Sequence, residues 1–353
     1  MLKWFLLFFP IAVGVEVFAP EQYLVIFVTS SLAIFPLAGW MGRATEQLAE
    51  QVGEGAGGLL NATFGNAAEL IIGLVALHRG LYGVVKASLA GCIVGNILLV
   101  LGAAMLAGGL SRPEQRFNPL GARSQATMLT LAAIALVFPA AFQAAAGATA
   151  EGLGRLSVSI SILLLLVYVL YLAFALVTHS QLFAGAQAIA NREAHSSIGW
   201  AALVLAGATA GIAWMSEIMV RAIEPVAHEF GLSEVFIGVF VVAIVGNAAE
   251  HASAISAAWK DRMDLSLSIA IGSSVQVALF VAPILVLASL SLGPTRMDLA
   301  LPPGLVLIVL LSVLITSQVA GDGRCDWLEG VQLLAVYLVL ALTYFFLPST
   351  SSH

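Results

Sequence analysis

The chain has 353 residues, of which 60% are hydrophobic and only 10% charged, and its net charge is −6. Soluble domains carry roughly 25% charged residues, so this chain cannot cover a water-facing surface; fibrous, collagen-like and disordered classes fall as well, for want of a glycine period or a polar tract. The negative balance argues against nucleic acid as a partner, and two cysteines in or beside apolar stretches, Cys92 and Cys325, make neither a disulfide scaffold nor a CxxC metal site.

A membrane-crossing helix needs roughly 20 apolar residues. Taken in chain order, apolar runs cover 4–19, 23–41, 58–78, 81–110, 125–146, 156–178, 198–220, 234–258, 265–293, 299–320 and 327–347. The runs are continuous rather than alternating, which excludes the strands of a membrane β-barrel. The expectation is an all-α integral membrane protein, multi-pass, with about eleven transmembrane helices and short connections. The first run, from Lys3 to Val17-Phe18-Ala19, imitates a signal peptide, but Pro20 just after the cut disfavours cleavage, so a retained helix is expected. Turn and charge signals mark the breaks at Arg112-Pro113-Glu114, Asp261-Arg262, Gly293-Pro294 and Gly321-Asp322-Gly323-Arg324. With the N-terminus in the cytoplasm, nine basic residues fall inside (Lys3, Arg43, Arg112, Arg116, Arg123, Arg192, Lys260, Arg262, Arg324) and five outside (Arg79, Lys86, Arg155, Arg221, Arg296). The excess favours that orientation.

The third and eighth runs share a string. Gly65-Asn66-Ala67-Ala68-Glu69 recurs unchanged as Gly246-Asn247-Ala248-Ala249-Glu250, in a chain with only six asparagines. The register holds downstream: Gly91 follows Glu69 by 22 residues, and Gly272 follows Glu250 by 22. Glu46 and Glu224 both open an acidic stretch upstream of the string, though not in identical register. The copies lie five spans apart, an odd number, so they cross in opposite senses, which is the pattern of an inverted-topology repeat.

Glu69 and Glu250 lie near the middle of apolar runs, where an ionised carboxylate is costly unless paired or solvated. Asn66 and Asn247 each precede their glutamate by three residues, on one helix face. Two such faces meeting offer two carboxylates and two amide oxygens, which suits a hard cation. The ninth run adds Ser273 and Gln276, again three apart, and backbone carbonyls are freed if Gly65 and Gly246 break their helices. The first-half counterpart is Gly91-Cys92-Ile93-Val94-Gly95-Asn96. Other polar residues receive blander readings: interface solvation for Glu16 and Glu217, packing for Ser253 and Ser256, and for His251 a packed neutral ring rather than a proton relay.

On these residues the chain resembles the calcium/proton antiporters of the cation/proton exchanger group, within the cation/calcium exchanger superfamily. The resemblance is carried by Ala44-Thr45-Glu46-Gln47-Leu48-Ala49, by Gly57 to Ile71 and by Lys86 to Gly91. In the second half it is carried by Leu232 to Gly238, Gly246 to His251 and Gly272 to Gln276. It implies a leading helix at 1–20, two inverted five-helix repeats at 21–180 and 198–348, and a cytoplasmic linker at 181–197. It implies Glu69 and Glu250 as the carboxylates that hold metal or proton, lined by Asn66, Asn247, Ser273 and Gln276. Two departures stand out: family members often have serine where Cys92 stands, and the linker around Gln181–Ser197, acidic in many relatives, has only Glu193.

The function this implies is secondary active exchange of Ca2+ for H+ by alternating access, in the plasma membrane if the source is prokaryotic and in a vacuole-type membrane if eukaryotic. Ca2+ is then a transported substrate, not a cofactor, with H+ and the lipid bilayer as further partners and a homo-oligomer left open. No catalytic residue is expected. The rivals are a sodium/calcium or other divalent exchanger, a passive cation channel and an intramembrane protease. The protease lacks its motifs, because Asn247 stands where an HxxEH string needs its first histidine.

Overall fold

The computed structural model describes residues 2–52, 54–145, 147–178 and 197–347. A tight turn at Leu2–Leu7 leads into α1 (Phe8–Phe18), followed by α2 (Tyr23–Val52), α3 (Glu54–Phe64), α4 (Ala67–His78) and α5 (Tyr82–Gly109). Then come α6 (Pro119–Ala144), α7 (Ala150–Thr178), α8 (Ile198–Phe230), α9 (Glu234–Trp259), α10 (Met263–Ala288), α11 (Pro303–Asp322) and α12 (Trp327–Phe345). Among the described residues nine helices are long and apolar enough to cross a membrane. With α1 and the broken α3–α4 unit they account for every apolar run of the sequence. Of the expected linker, 181–196 lies outside the described residues, while the Ser197 hydroxyl caps α8 by accepting from Trp200 N.

Several of the helix starts follow ordinary side-chain capping chemistry. Asn118 caps α6 ahead of Pro119, Thr149 caps α7, Ser233 caps α9, and Asp326 with Glu329 forms a capping box on α12. One boundary departs from hydropathy. Residues 299–302 are apolar but not helical, because α11 begins at Pro303, whose ring suits the first helical turn. The preceding segment is apolar because it is buried as a loop: Met297, Leu299, Ala300 and Leu301 are all in the core.

Helix α5 and helix α10 lie at the centre of the bundle, and α2 packs along α8 more extensively than any other pair. Helix α4 runs beside α10 in the same direction, with Asn66 against Gln276, Gly73 against Leu285 and Leu77 against Gly293. A tight turn around Asp261 joins α9 to α10, so α4 and α9 are antiparallel.

The two ends of the bundle are tied differently. At the end reached by α5, α9 and α11, a short antiparallel ribbon pairs Gln115–Arg116 with Arg324–Cys325. Beside it Arg112 meets Asp261 at 3.3 Å, and Asp264 accepts from Asn118 N at 2.6 Å. At the other end the loop 289–302 is stitched across α4, α5 and α7. Tyr82 Oη donates to Thr295 O at 2.6 Å and accepts from Thr295 N at 2.8 Å; Lys86 pairs with Asp298 at 2.7 Å; and Leu299 N donates to Ser157 Oγ at 3.1 Å. An ion chain, Arg79–Glu217–Arg221–Glu16, links α4, α8 and α1.

Candidate functional site

The third run is broken where the sequence places its first glycine. Helix α3 ends at Phe64 and α4 begins at Ala67, with Asn66 at φ −101° and ψ 23°. A Cβ at Gly65 would meet Asn61 O at 2.8 Å, so a larger residue here would force the backbone to shift. The eighth run behaves otherwise, which corrects the expected break at Gly246: that residue lies inside the continuous helix of α9. The local distortion falls earlier, at Ile237–Val242, where the helix widens to a π-type turn and Ala243 N bonds Gly238 O. Gly246 answers a need for space instead, since a Cβ there would lie 3.2 Å from Cγ and 3.5 Å from Oε1 of Glu69.

The two strings face each other reciprocally. Gly246 abuts the Glu69 side chain, and the Cβ position of Gly65 lies 3.9 Å from Oε1 of Glu250. Glu69 is buried and Glu250 partly exposed, yet the Oε2 of each is buried without any hydrogen-bond partner. A buried, unpartnered carboxylate oxygen is costly. Two of them in one cleft, from antiparallel helices, form a place for something positive.

The neutral residues expected at the site are all there. Asn66 Nδ2 donates to Gln276 Oε1, and Ser273 Oγ donates to Asn66 Oδ1 at 3.2 Å and reaches Asn247 Oδ1 at 3.5 Å. Asn247 Nδ2 donates to Ala243 O at 2.9 Å and to Cys92 Sγ at 3.1 Å. Asn66, Asn247 and Ser273 are buried. Among the described residues no three His, Cys, Asp or Glu side chains converge tightly enough to hold a metal, so amide, hydroxyl and backbone oxygens would have to complete any coordination shell.

Sequence reasoning missed one partner. His251 Nε2 lies 3.2 Å from Asn96 Oδ1, joining α9 to α5. Asn96 is one of the six asparagines and directly follows Gly95, the register counterpart of Gln276; that signal was available. What the sequence does not show is the π-type turn at Gly95–Val100, where Leu101 N bonds Asn96 O. An equivalent turn follows Gln276 at Val277–Val281. Glu16 and Glu217 are not merely solvated at an interface but belong to the ion chain on Arg221 and Arg79.

The two sides of the cleft differ in exposure. Beyond Glu250, Ser253 and Ser256 continue as an exposed polar stripe towards Trp259 and the ribbon end. Beyond Glu69, Ile72, Ala76 and Leu77 are buried and roofed by the stitched loop, since a Cβ at Gly293 would lie 2.7 Å from Leu77 O.

The family model described as sodium/calcium exchanger protein matches residues 22–177 and 200–346. The chain is 43% identical over 342 residues to the Ca2+/H+ antiporter of Synechocystis sp., covering 92% of this chain and 91% of that protein. It is 45% identical over 327 residues to the Ca2+/H+ antiporter ChaA of Bacillus subtilis, covering 92% of each. Among solved structures, native YfkE superposes with a TM-score of 0.82 at 41% identity, over 97% of this chain and all of that one (100%).

Proposed function

The chain belongs to the sodium/calcium exchanger protein family, and from that membership we propose that it exchanges Ca2+ for H+ across a membrane at a cleft whose carboxylates are Glu69 and Glu250. The observation that carries this reading is the reciprocal contact of the two strings, each carboxylate set against the other's glycine with one oxygen unpartnered. One Ca2+ neutralises both carboxylates; so do two protons. Either load removes the bare double charge from the apolar bundle, and the unloaded site carries a charge that opposes passage through the closed intermediate. Metal binding expels the protons, and the two loads become exchangeable. Asn66, Asn247, Ser273 and Gln276 supply neutral oxygens in this scheme.

Residues 21–180 and 198–348 act as inverted repeats about this cleft, after a leading helix at 1–20 and with 181–197 as a cytoplasmic linker. The antiparallel course of α4 and α9 and the matched π-type turns in α5 and α10 support that division. The N-terminus is cytoplasmic, in the plasma membrane of a prokaryote or a vacuole-type membrane of a eukaryote. The exposed stripe at Ser253 and Ser256 then faces the cytoplasm, and the stitched loop seals the far side in this state. Alternating access requires the seal and the opening to change places.

The deciding experiment uses proteoliposomes with an acidic lumen. Ca2+ uptake is expected to follow the pH gradient and to collapse with nigericin, and a sodium gradient should not substitute. Uptake that follows Na+ and ignores pH would hand the case to sodium/calcium exchange; downhill Ca2+ flux without either gradient would point to a channel.

A milder effect is expected at Gln276. Its Oε1 accepts from Asn66, so Gln276→Ala removes one neutral oxygen and orphans an amide donor. Such a loss costs about 1–3 kcal/mol, roughly a ten- to hundredfold rise in half-saturating Ca2+. Proton-coupled uptake should persist at high Ca2+, because no titratable group is lost. An unchanged half-saturation would reduce Gln276 to a packing residue.

A further inference from the structure

The repeat extends beyond the two strings. Arg43-Ala44-Thr45-Glu46 on α2 is followed by Ala49 and Gly53; Arg221-Ala222-Ile223-Glu224 on α8 is followed by Ala227 and Gly231 at the same spacings. In the frame that aligns Glu69 with Glu250, Arg79-Gly80 after α4 matches Lys260-Asp261 after α9. Gly80 and Asp261 are both left-handed, at φ 77° and 62°. Arg221 thus answers to Arg43, Arg79 to Lys260, and Glu217, four residues before Arg221, to Gly39.

The two ends of the bundle therefore differ by one carboxylate. At the stitched-loop end Glu217 Oε1 accepts from Arg79 Nε at 3.1 Å and from Arg221 Nη2 at 3.2 Å. At the ribbon end, among the described residues, no ion pair joins Arg43 or Lys260 to a carboxylate. Asp261 is engaged by Arg112 at 3.3 Å. Glu46 and Glu224 stand at matching positions in both copies, so they do not supply the difference.

The contact also joins two groups of helices. Gly211 of α8 abuts α2, where its Cβ would lie 3.2 Å from Leu37 Cδ1. Phe9 of α1 meets Trp214 of α8 edge-on with ring centroids 5.6 Å apart, and Glu16 of α1 pairs with Arg221 at 3.0 Å. Glu217 reaches out of this group to Arg79, beside the end of the helix that carries Glu69. The two side chains are 35% and 32% exposed, so water can take over their charges when the pair opens. Closing the ribbon end in the same manner would set Arg43 against Lys260 with no carboxylate between them, an arrangement that like charges oppose.

We propose that Glu217 is a one-sided latch. Joined to Arg79 it holds the stitched-loop end closed, and Gly39 in the matching place leaves the ribbon end unlatched, so the chain rests with its Ser253 side exposed. The proposal rests on the alternating-access reading of the cleft.

The test follows labelling of the purified full chain by a water-soluble maleimide, with Cys92→Ser and Cys325→Ser throughout. Ser253→Cys and Ile72→Cys are the reporters: they hold matching positions on α9 and α4, and Ser253 is exposed while Ile72 is 3% exposed. Ser253→Cys should label fast and Ile72→Cys slowly. Glu217→Gln and Arg79→Gln should each speed Ile72→Cys labelling about two- to fivefold, the span of a half-exposed ion pair. Combined, they should exceed neither alone by much, since both break one contact. Glu16→Gln leaves that contact in place and should change nothing. Gly39→Glu supplies the missing carboxylate and should speed Ile72→Cys labelling as well. Rates that ignore Glu217→Gln and Arg79→Gln, or that respond equally to Glu16→Gln, overturn the latch. A folded Gly39→Glu chain with unmoved labelling overturns the asymmetry. The exchange reading fails separately: shifted labelling in a chain without pH-driven Ca2+ uptake keeps the latch and removes proton exchange, and intact uptake with unmoved labelling does the reverse.

Discussion

Glu69→Gln and Glu250→Gln are each expected to abolish Ca2+ exchange, with proton-driven uptake falling by more than about a hundredfold. A neutral ligand is worth about 1–3 kcal/mol; a carboxylate facing a divalent cation supplies charge as well, so its loss exceeds the hundredfold that 2.7 kcal/mol represents. Glutamine keeps the shape against Gly246 or Gly65 and removes both the charge and the titratable proton. The stability effect should have the opposite sign. Each carboxylate is held with an unpartnered buried oxygen, and relief of that buried charge should leave the variant at least as resistant to heat as the parent. Uptake in proteoliposomes, read beside thermal unfolding in detergent, separates the two. Near-normal uptake in either variant would remove that residue from the site, and a large fall in thermal stability would mean that the carboxylate is a structural group.

The second large effect is structural. Helix α5 crosses α9 at Gly91, where a Cβ would stand 2.4 Å from Val239 O and 2.6 Å from Val239 Cα. Both are backbone atoms of the π-type turn in α9, which no rotamer change can move away. Gly91→Ala should therefore exceed the ~1–3 kcal/mol of ordinary overpacking and yield little folded, monodisperse protein. Gly95, one helical turn on, has nothing within 4 Å of its Cβ position. Gly95→Ala should be neutral or stabilising by about 0.5–1 kcal/mol, the gain of alanine over glycine in a helix. Equal behaviour of the two variants on size-exclusion chromatography and thermal unfolding would refute the close crossing.

The sequence carried the spans and the residues that meet between α4, α9 and α10 because both depend on side-chain type. Continuous apolar runs can only be helices in a bilayer, and a repeated Asn–Glu pair in such runs has no cheap structural excuse. It carried the break at Gly65 but misplaced its twin, because the same string sits in two different backbones: what breaks α3 from α4 becomes a widened turn several residues earlier in α9. Hydropathy also read 299–302 as helix, since burial inside a loop and burial inside a bilayer select the same residues. The contact between His251 and Asn96 depends on the π-type turn in α5, a backbone feature without a residue signature.

The π-type turns at Gly95–Val100 and Val277–Val281 each fit one more residue into the coil than a regular turn holds. Helix length here is thus a coded quantity, separate from composition. Losing the extra residue from either turn would let the coil close to regular pitch with the flanking segments still in phase, whereas losing one from a regular turn beside it would rotate those segments against one another by about 100°. Connections such as 19–22 can lengthen or shorten between descendants with the spans left in phase. A one-residue gap in a regular turn of α5 or α10 is a different kind of mutation: it dephases the cleft from the half of the helix that anchors it. Among diverging copies of this chain, insertions and deletions should therefore collect in the connections and, within α5 and α10, be tolerated only at these two turns.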